Sequence, residues 1–261
     1  MTTGVISMSK STAFEKLILA LVGPEKGGKS RLAATARKPV LFLDYDYRKA
    51  AIAGLPGVYA ISEDLQDPAW PAMPTAYQKT LNILSEIEQK KILLDGVTPK
   101  TLVFDSIQTF ARRAQAYSLY TTPDIRRTIS VAGQQFFVPK NFDAWNAEMC
   151  LIEGAVTRAI AIPGLDVIVI LHETAEEAPE STQERPSYTG KISVYPPRYR
   201  LLLKYVNEVW RVTREAKVPE VQVVPNYKFT AATNLPIESL DGLDIEKSIA
   251  KAIGNGNLTK H

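Results

Sequence analysis

Short runs that are apolar at nearly every position alternate along the chain with longer segments whose apolar residues recur every three to four positions. KLILALVG (16–23), PVLFLDYD (39–46), GVYAIS (57–62), TLVFDS (101–106) and DVIVILHE (166–173) are of the first kind. Their richness in Val, Ile and Leu is what strands covered on both faces require. KSRLAATAR (29–37), TAYQKTLNILSEIEQKKILL (75–94) and NAEMCLIEGAVTRAIAIPG (146–164) are of the second kind and predict helices. The alternation predicts βαβ units, hence an α/β fold with a doubly wound, mostly parallel sheet. After residue 200 the pattern changes. NEVWRVTRE (207–215) and EVQVVPNYKFTA (220–231) alternate with a period of two and predict a C-terminal antiparallel β hairpin at one sheet edge. LDGLDIEKSIAKAI (240–253) predicts a short amphipathic helix, and GNGNLTKH (254–261) a loose tail. No internal repeat interrupts this order.

Three segments read as loops: 62–75 with its prolines, 121–141 with Gly, Pro, Arg and aromatics, and 173–197 with four prolines. Long loops within a compact α/β unit are commonly functional. The expected organisation is an arm at 1–14, a core at 15–240, and a C-terminal helix and tail at 241–261.

Composition narrows the classes. A chain of 261 residues, 45% hydrophobic, can bury a sizeable core and is unlike disordered or fibrous chains. LILALVG is too short to span a membrane, so no membrane partner is expected. The single cysteine, Cys150, cannot form an internal disulfide; a reducing compartment is expected, with Cys150 as a buried small apolar residue. The net charge of +3 and pI of 8.8 permit a nucleic-acid partner without requiring one.

Candidate chemistry concentrates where apolar runs end. Gly23-Pro24-Glu25-Lys26-Gly27-Gly28-Lys29-Ser30 fits G-x-x-x-x-G-K-[ST] between an apolar strand and a helix, with Arg31 following. Glycines let backbone N–H groups close around phosphates, Lys29 neutralises β/γ charge, and Ser30 offers a ligand for Mg²⁺. ATP with Mg²⁺ is the expected cofactor. TLVFDS ends in Asp105, the usual Walker B position for holding the metal, although an Asp there can also cap the next helix. Ser106 follows it, so no adjacent acid is available for catalysis, and the carboxylate must come from elsewhere. Asp46, or as the lesser alternative Asp44, ends the second strand beside the crevice and could orient the attacking water; a helix cap is the competing role. His172 ends the VIVILH run as a sensor of the γ-phosphate or as a satisfied structural histidine.

This order of motifs resembles the ATPase core of RecA-like recombinases, and more narrowly the single-domain RecA-like recombinases encoded by bacteriophages. The resemblance spans about residues 15–235 and is specific for a P-loop ATPase. It implies that Gly23, Gly28, Lys29 and Ser30 bind the triphosphate, with Ser30 and Asp105 around magnesium. Asp46 stands where the family usually has a glutamate, which implies slow hydrolysis or a different carboxylate. His172 stands where bacterial members carry a glutamine. Lys228 lies where the family presents a cation to a neighbouring subunit's γ-phosphate; a solvated edge-strand lysine is the alternative. The family's first DNA-facing segment falls on 124–145, with Arg126, Arg127 and Lys140 beside Phe136 and Phe137, residue types suited to single-stranded DNA or to packing on the core. A second, at 173–200, opens acidic.

A DNA-dependent ATP hydrolase in phage recombination or strand annealing is therefore implied. Its expected partners are single-stranded DNA, further copies in a ring or filament with ATP between subunits, and a single-strand binding protein. The expected location is the cytoplasm of a phage-infected bacterium. Alternatives are a replication or packaging accessory that binds nucleotide without turnover, and a small-molecule kinase, for which no lid pattern is evident. Pro24 argues against a partition-type ATPase, which would carry lysine at that place.

Overall fold

The computed structural model describes residues 16–177, 188–192, 202–215, 218–222 and 244–256. Eight strands form one sheet: β1 (Ile18–Gly23), β2 (Val40–Asp44), β3 (Val58–Ile61), β4 (Thr101–Asp105), β7 (Asp166–Glu177), β8 (Tyr188–Ile192), β9 (Glu208–Glu215) and β10 (Val218–Gln222). Their order is β10-β9-β1-β7-β4-β2-β3, with β8 paired to β7. Pairings from β9 through β3 are parallel, while β9–β10 and β7–β8 are antiparallel. The α/β class, the mostly parallel sheet and the edge hairpin are thus as the pattern predicts.

Continuous apolar strands are explained by the two cores they feed. Successive side chains alternate faces. Ala20, Val22, Leu41, Leu43, Leu102, Phe104, Val167 and Val169 pack on one side with the helices α2 (Ala76–Glu88), α3 (Ile107–Thr121) and α4 (Phe142–Ala161). Leu19, Leu21, Val40, Phe42, Val103, Ile168 and Ile170 pack on the other with α1 (Lys29–Ala33) and with Ile245 of α5 (Ile245–Gly256). Helix α5 docks where the Ile245 N–H donates to Thr35 Oγ1 at 2.9 Å.

Several expectations are corrected. The helix read over 75–94 stops at Glu88, because Lys90 takes a left-handed turn conformation at φ 56°. Segment 121–141 is mainly a hairpin, β5 (Arg126–Val131) and β6 (Gln134–Pro139), closed by Ala132 and Gly133 at φ 51° and 78°. Two central residues with positive φ make the two-residue turn whose twist matches a hairpin. Strand β7 runs on through Glu177 into what read as loop, and pairs there with β8. Cys150 is exposed, because the buried positions Ala144, Glu148, Ile152, Ala155 and Ala159 lie on the opposite face of α4. Residues 1–14, the end of the second predicted strand of the edge hairpin from 223 on, Lys228 and the tail from 257 lie outside the described residues.

Candidate functional site

Parallel register brings the strand ends to one level. Gly23 stands opposite His172, and Asp44 opposite Asp105, so the loops after β1, β2 and β4 meet His172 of β7 at a common crevice. Strand β7 separates β1 from β4, which places His172 between the phosphate-type loop and Asp105.

The loop is built tightly. A Cβ on Gly23 would fall 2.0 Å from the Val212 carbonyl oxygen on β9, so only glycine fits. Gly28, at φ 98°, turns the chain into α1. Lys29 is buried; its ammonium donates to the Gly23 and Pro24 carbonyls at 2.7 and 2.6 Å. Burial lowers its pKa to about 8, against the opposing pull of Asp105 and Glu173. Ser30 Oγ donates to Asp105 Oδ2 at 2.7 Å. Burial lifts Asp105 to about 6, with the Ser30 hydrogen bond opposing and the Asp46 and Asp44 carboxylates adding to the rise.

Behind this pair, Asp46 is held by the first turn of α3 and by His172. Ser106 Oγ donates to Asp46 Oδ2 at 3.0 Å, Thr109 Oγ1 donates to Oδ1, and His172 Nε2 lies 3.5 Å from Oδ2. Burial alone would raise Asp46, but hydrogen bonds from His172, Thr109 and Ser106 bring it down to about 2. Gln108 Nε2 holds the His172 carbonyl at 3.0 Å, and His172 Nδ1 is buried without a hydrogen-bond partner among the described residues. Asp44 is committed elsewhere: it accepts from the Arg48 N–H at 2.9 Å and from Ser62 Oγ at 2.7 Å, fixing the turn after β2.

Lys26, Gly27, Gly28, Lys29, Ser30, Arg31, Asp105 and His172 line one cleft of about 290 Å³, joined by Arg48 and Ala51. Pro24 serves the loop through its carbonyl, and Glu25 instead faces Arg48 at 3.8 Å. Arg48, Ser106 and Thr109 were not expected from sequence. The signal for the hydroxyl pair is there to read: Ser106 and Thr109 are three apart at a helix start, hence on one face.

The DNA-directed candidates divide. Phe136 and Phe137 pack on Trp70, with ring centroids 6.1 and 4.7 Å apart, and the Arg126 guanidinium lies 3.5 Å over Phe137 while donating to the carbonyls of Leu119 and Tyr120. These three hold the β5–β6 hairpin on the body. Arg127 and Lys140 are exposed.

The family described as an AAA domain, AAA_24, matches residues 15–232. The chain belongs to that family. This AAA-domain protein is accordingly a P-loop nucleotide-binding ATPase domain. No curated protein matches it. Among solved structures, one described as the RadB recombinase is similar over 82% of this chain and 84% of that one, at 12% identity and a TM-score of 0.36. No helix among the described residues is long and apolar enough to cross a membrane.

Proposed function

We propose that this AAA-domain protein is a DNA-dependent ATPase that binds single-stranded DNA and acts in homologous recombination or strand annealing, as the motif order it shares with phage RecA-like recombinases implies. The observation that carries its nucleotide half is the meeting of Ser30 and Asp105 at 2.7 Å in a cleft that also holds Lys29 and His172, with Asp46 directly behind. Gly23, Gly28 and Lys29 would hold the triphosphate.

Ser30 and Asp105 supply two adjacent oxygens, the ligand type that magnesium takes when it shares its coordination with nucleotide phosphates. The ion would neutralise charge on the β- and γ-phosphates. Asp46, ionised and fixed by its three donors, is a poor proton acceptor at neutral pH but well suited to orienting a water for in-line attack. His172, bonded to that carboxylate, would report the γ-phosphate to β7. A neighbouring copy would complete the site with a cation, Lys228 being the candidate from sequence.

Arg127 and Lys140 would meet DNA phosphates, and the hairpin packed at the end of α3 would carry them. The same features that restrain Asp46 favour a second reading, an accessory that binds nucleotide without turning it over. The DNA half of the proposal is tested by fluorescence anisotropy with labelled oligothymidylate. Binding should fall as salt rises, with a slope that shrinks by about 0.7 for each phosphate contact removed in Arg127→Ala and Lys140→Ala. Salt-independent or undetectable binding would contradict it.

A further inference from the structure

Two strands, β7 and β4, lie between β1 and β2, so the loops after β1 and β2 start roughly 14 Å apart at ordinary strand spacing. A side-chain pair nevertheless joins them. Arg48 Nη2 lies 3.8 Å from Glu25 Oε2, and both side chains are exposed, at 46% and 62%. Arg48 lines the same cleft as Lys26, Lys29 and Arg31, together with Asp105 at the end of β4 and His172 within β7, the two intervening strands.

The backbone at Arg48 is anchored while its guanidinium is exposed. Its N–H is anchored on the buried Asp44 carboxylate, which Ser62 also holds, and Tyr47 before it takes φ 60° to turn the chain toward the cleft. Its guanidinium is held by a long, solvated ion pair to Glu25, which a phosphate can displace with two-pronged hydrogen bonds.

We infer that Arg48 is a phosphate-binding residue supplied within the same chain, parked on Glu25 until the terminal phosphate of a nucleoside triphosphate takes it over. This rests on the ATP-binding reading above and adds a discriminator to it: Arg48 senses the third phosphate, and Glu25 competes with that phosphate for it. Lys29 serves the phosphates in general, whereas Arg48 separates triphosphate from diphosphate. Arg48 acts on its own chain's nucleotide, so its effect does not depend on assembly.

The test is fluorescence titration with mant-labelled AMPPNP and mant-ADP in the presence of Mg²⁺, on the parent and on Arg48→Ala, Arg48→Lys, Glu25→Gln and Lys29→Ala. Arg48→Ala should weaken AMPPNP by about tenfold and ADP by less than about twofold, with Arg48→Lys in between. Glu25→Gln should tighten AMPPNP a few-fold at low salt, the gain fading as salt screens the competing carboxylate. A parent that binds AMPPNP through Lys29, with Arg48→Ala unchanged or equally weakened for both nucleotides, overturns the inference and leaves the ATP reading standing. A parent that binds neither nucleotide overturns both.

Discussion

Ser30 Oγ donates to Asp105 Oδ2 at 2.7 Å, which ties the first turn of α1 to the end of β4 across the strand that separates them. Neither residue is near the other in sequence; parallel register alone carries them together. In Asp105→Asn the carboxylate for a cation is gone while the hydrogen bond to Ser30 can persist. The expected outcome is loss of the magnesium-dependent part of triphosphate affinity, by roughly tenfold, with little change in metal-free binding. Nucleotide titration with and without Mg²⁺ checks it.

Thr109 and Ser106 fix both oxygens of Asp46 from the start of α3. Thr109→Val keeps the shape of the side chain and removes one donor. Turnover should fall by about ten- to a hundredfold through misplacement of the carboxylate, with KM nearly unchanged. An equal fall in kcat and rise in KM would show that Thr109 supports nucleotide binding instead.

The depressed pKa of Asp46 has a definite sign for stability. A carboxylate held near 2 against an ordinary 3.8 stabilises the fold above 3.8, and that contribution is lost as pH falls from about 4 to about 2. Urea unfolding of the parent should therefore weaken over this window more than that of Asp46→Asn, and the two should converge toward pH 2.

Gly23 has no room for a side chain beside the Val212 carbonyl, 2.0 Å from where a Cβ would stand. Gly23→Ala must displace the loop or β9. Thermal unfolding should record a loss of about 1–3 kcal/mol, together with weakened nucleotide binding.

The β5–β6 turn carries a strained residue, Ala132 at φ 51°. Replacing it with glycine or asparagine should stabilise the hairpin by about 0.5–1 kcal/mol and slow hydrogen exchange across 126–139. Trp70→Ala should do the reverse, because both Phe136 and Phe137 pack on that ring.

Much of this was legible in the sequence because burial on two faces leaves an unmistakable trace. The runs around Leu19, Phe42, Val103 and Ile168 are apolar throughout since each strand feeds both cores. The phosphate-type loop and the acid ending TLVFDS were readable for the same reason, as polar residues that terminate apolar runs. The β5–β6 hairpin was not, because its turn uses Ala132-Gly133 where the strong local signal is Asn-Gly or Asp-Gly. Arg48 was hidden differently. Its place in the cleft comes from the reach of a loop over two neighbouring strands, which strand order decides and local pattern does not. Phe137 and Arg126 read equally well as nucleic-acid contacts or as packing, and only Trp70, more than fifty residues earlier in the chain, distinguishes the two.

In the proposed function, nucleotide turnover at the cleft that holds Lys29, with Asp46 behind it, is coupled to single-stranded DNA. Its most direct test is the steady-state ATPase rate with and without single-stranded DNA, for the parent, Lys29→Ala and Asp46→Ala. A rate that DNA stimulates and that both substitutions abolish is the predicted result. A rate indifferent to DNA, or one that survives Asp46→Ala, would contradict it.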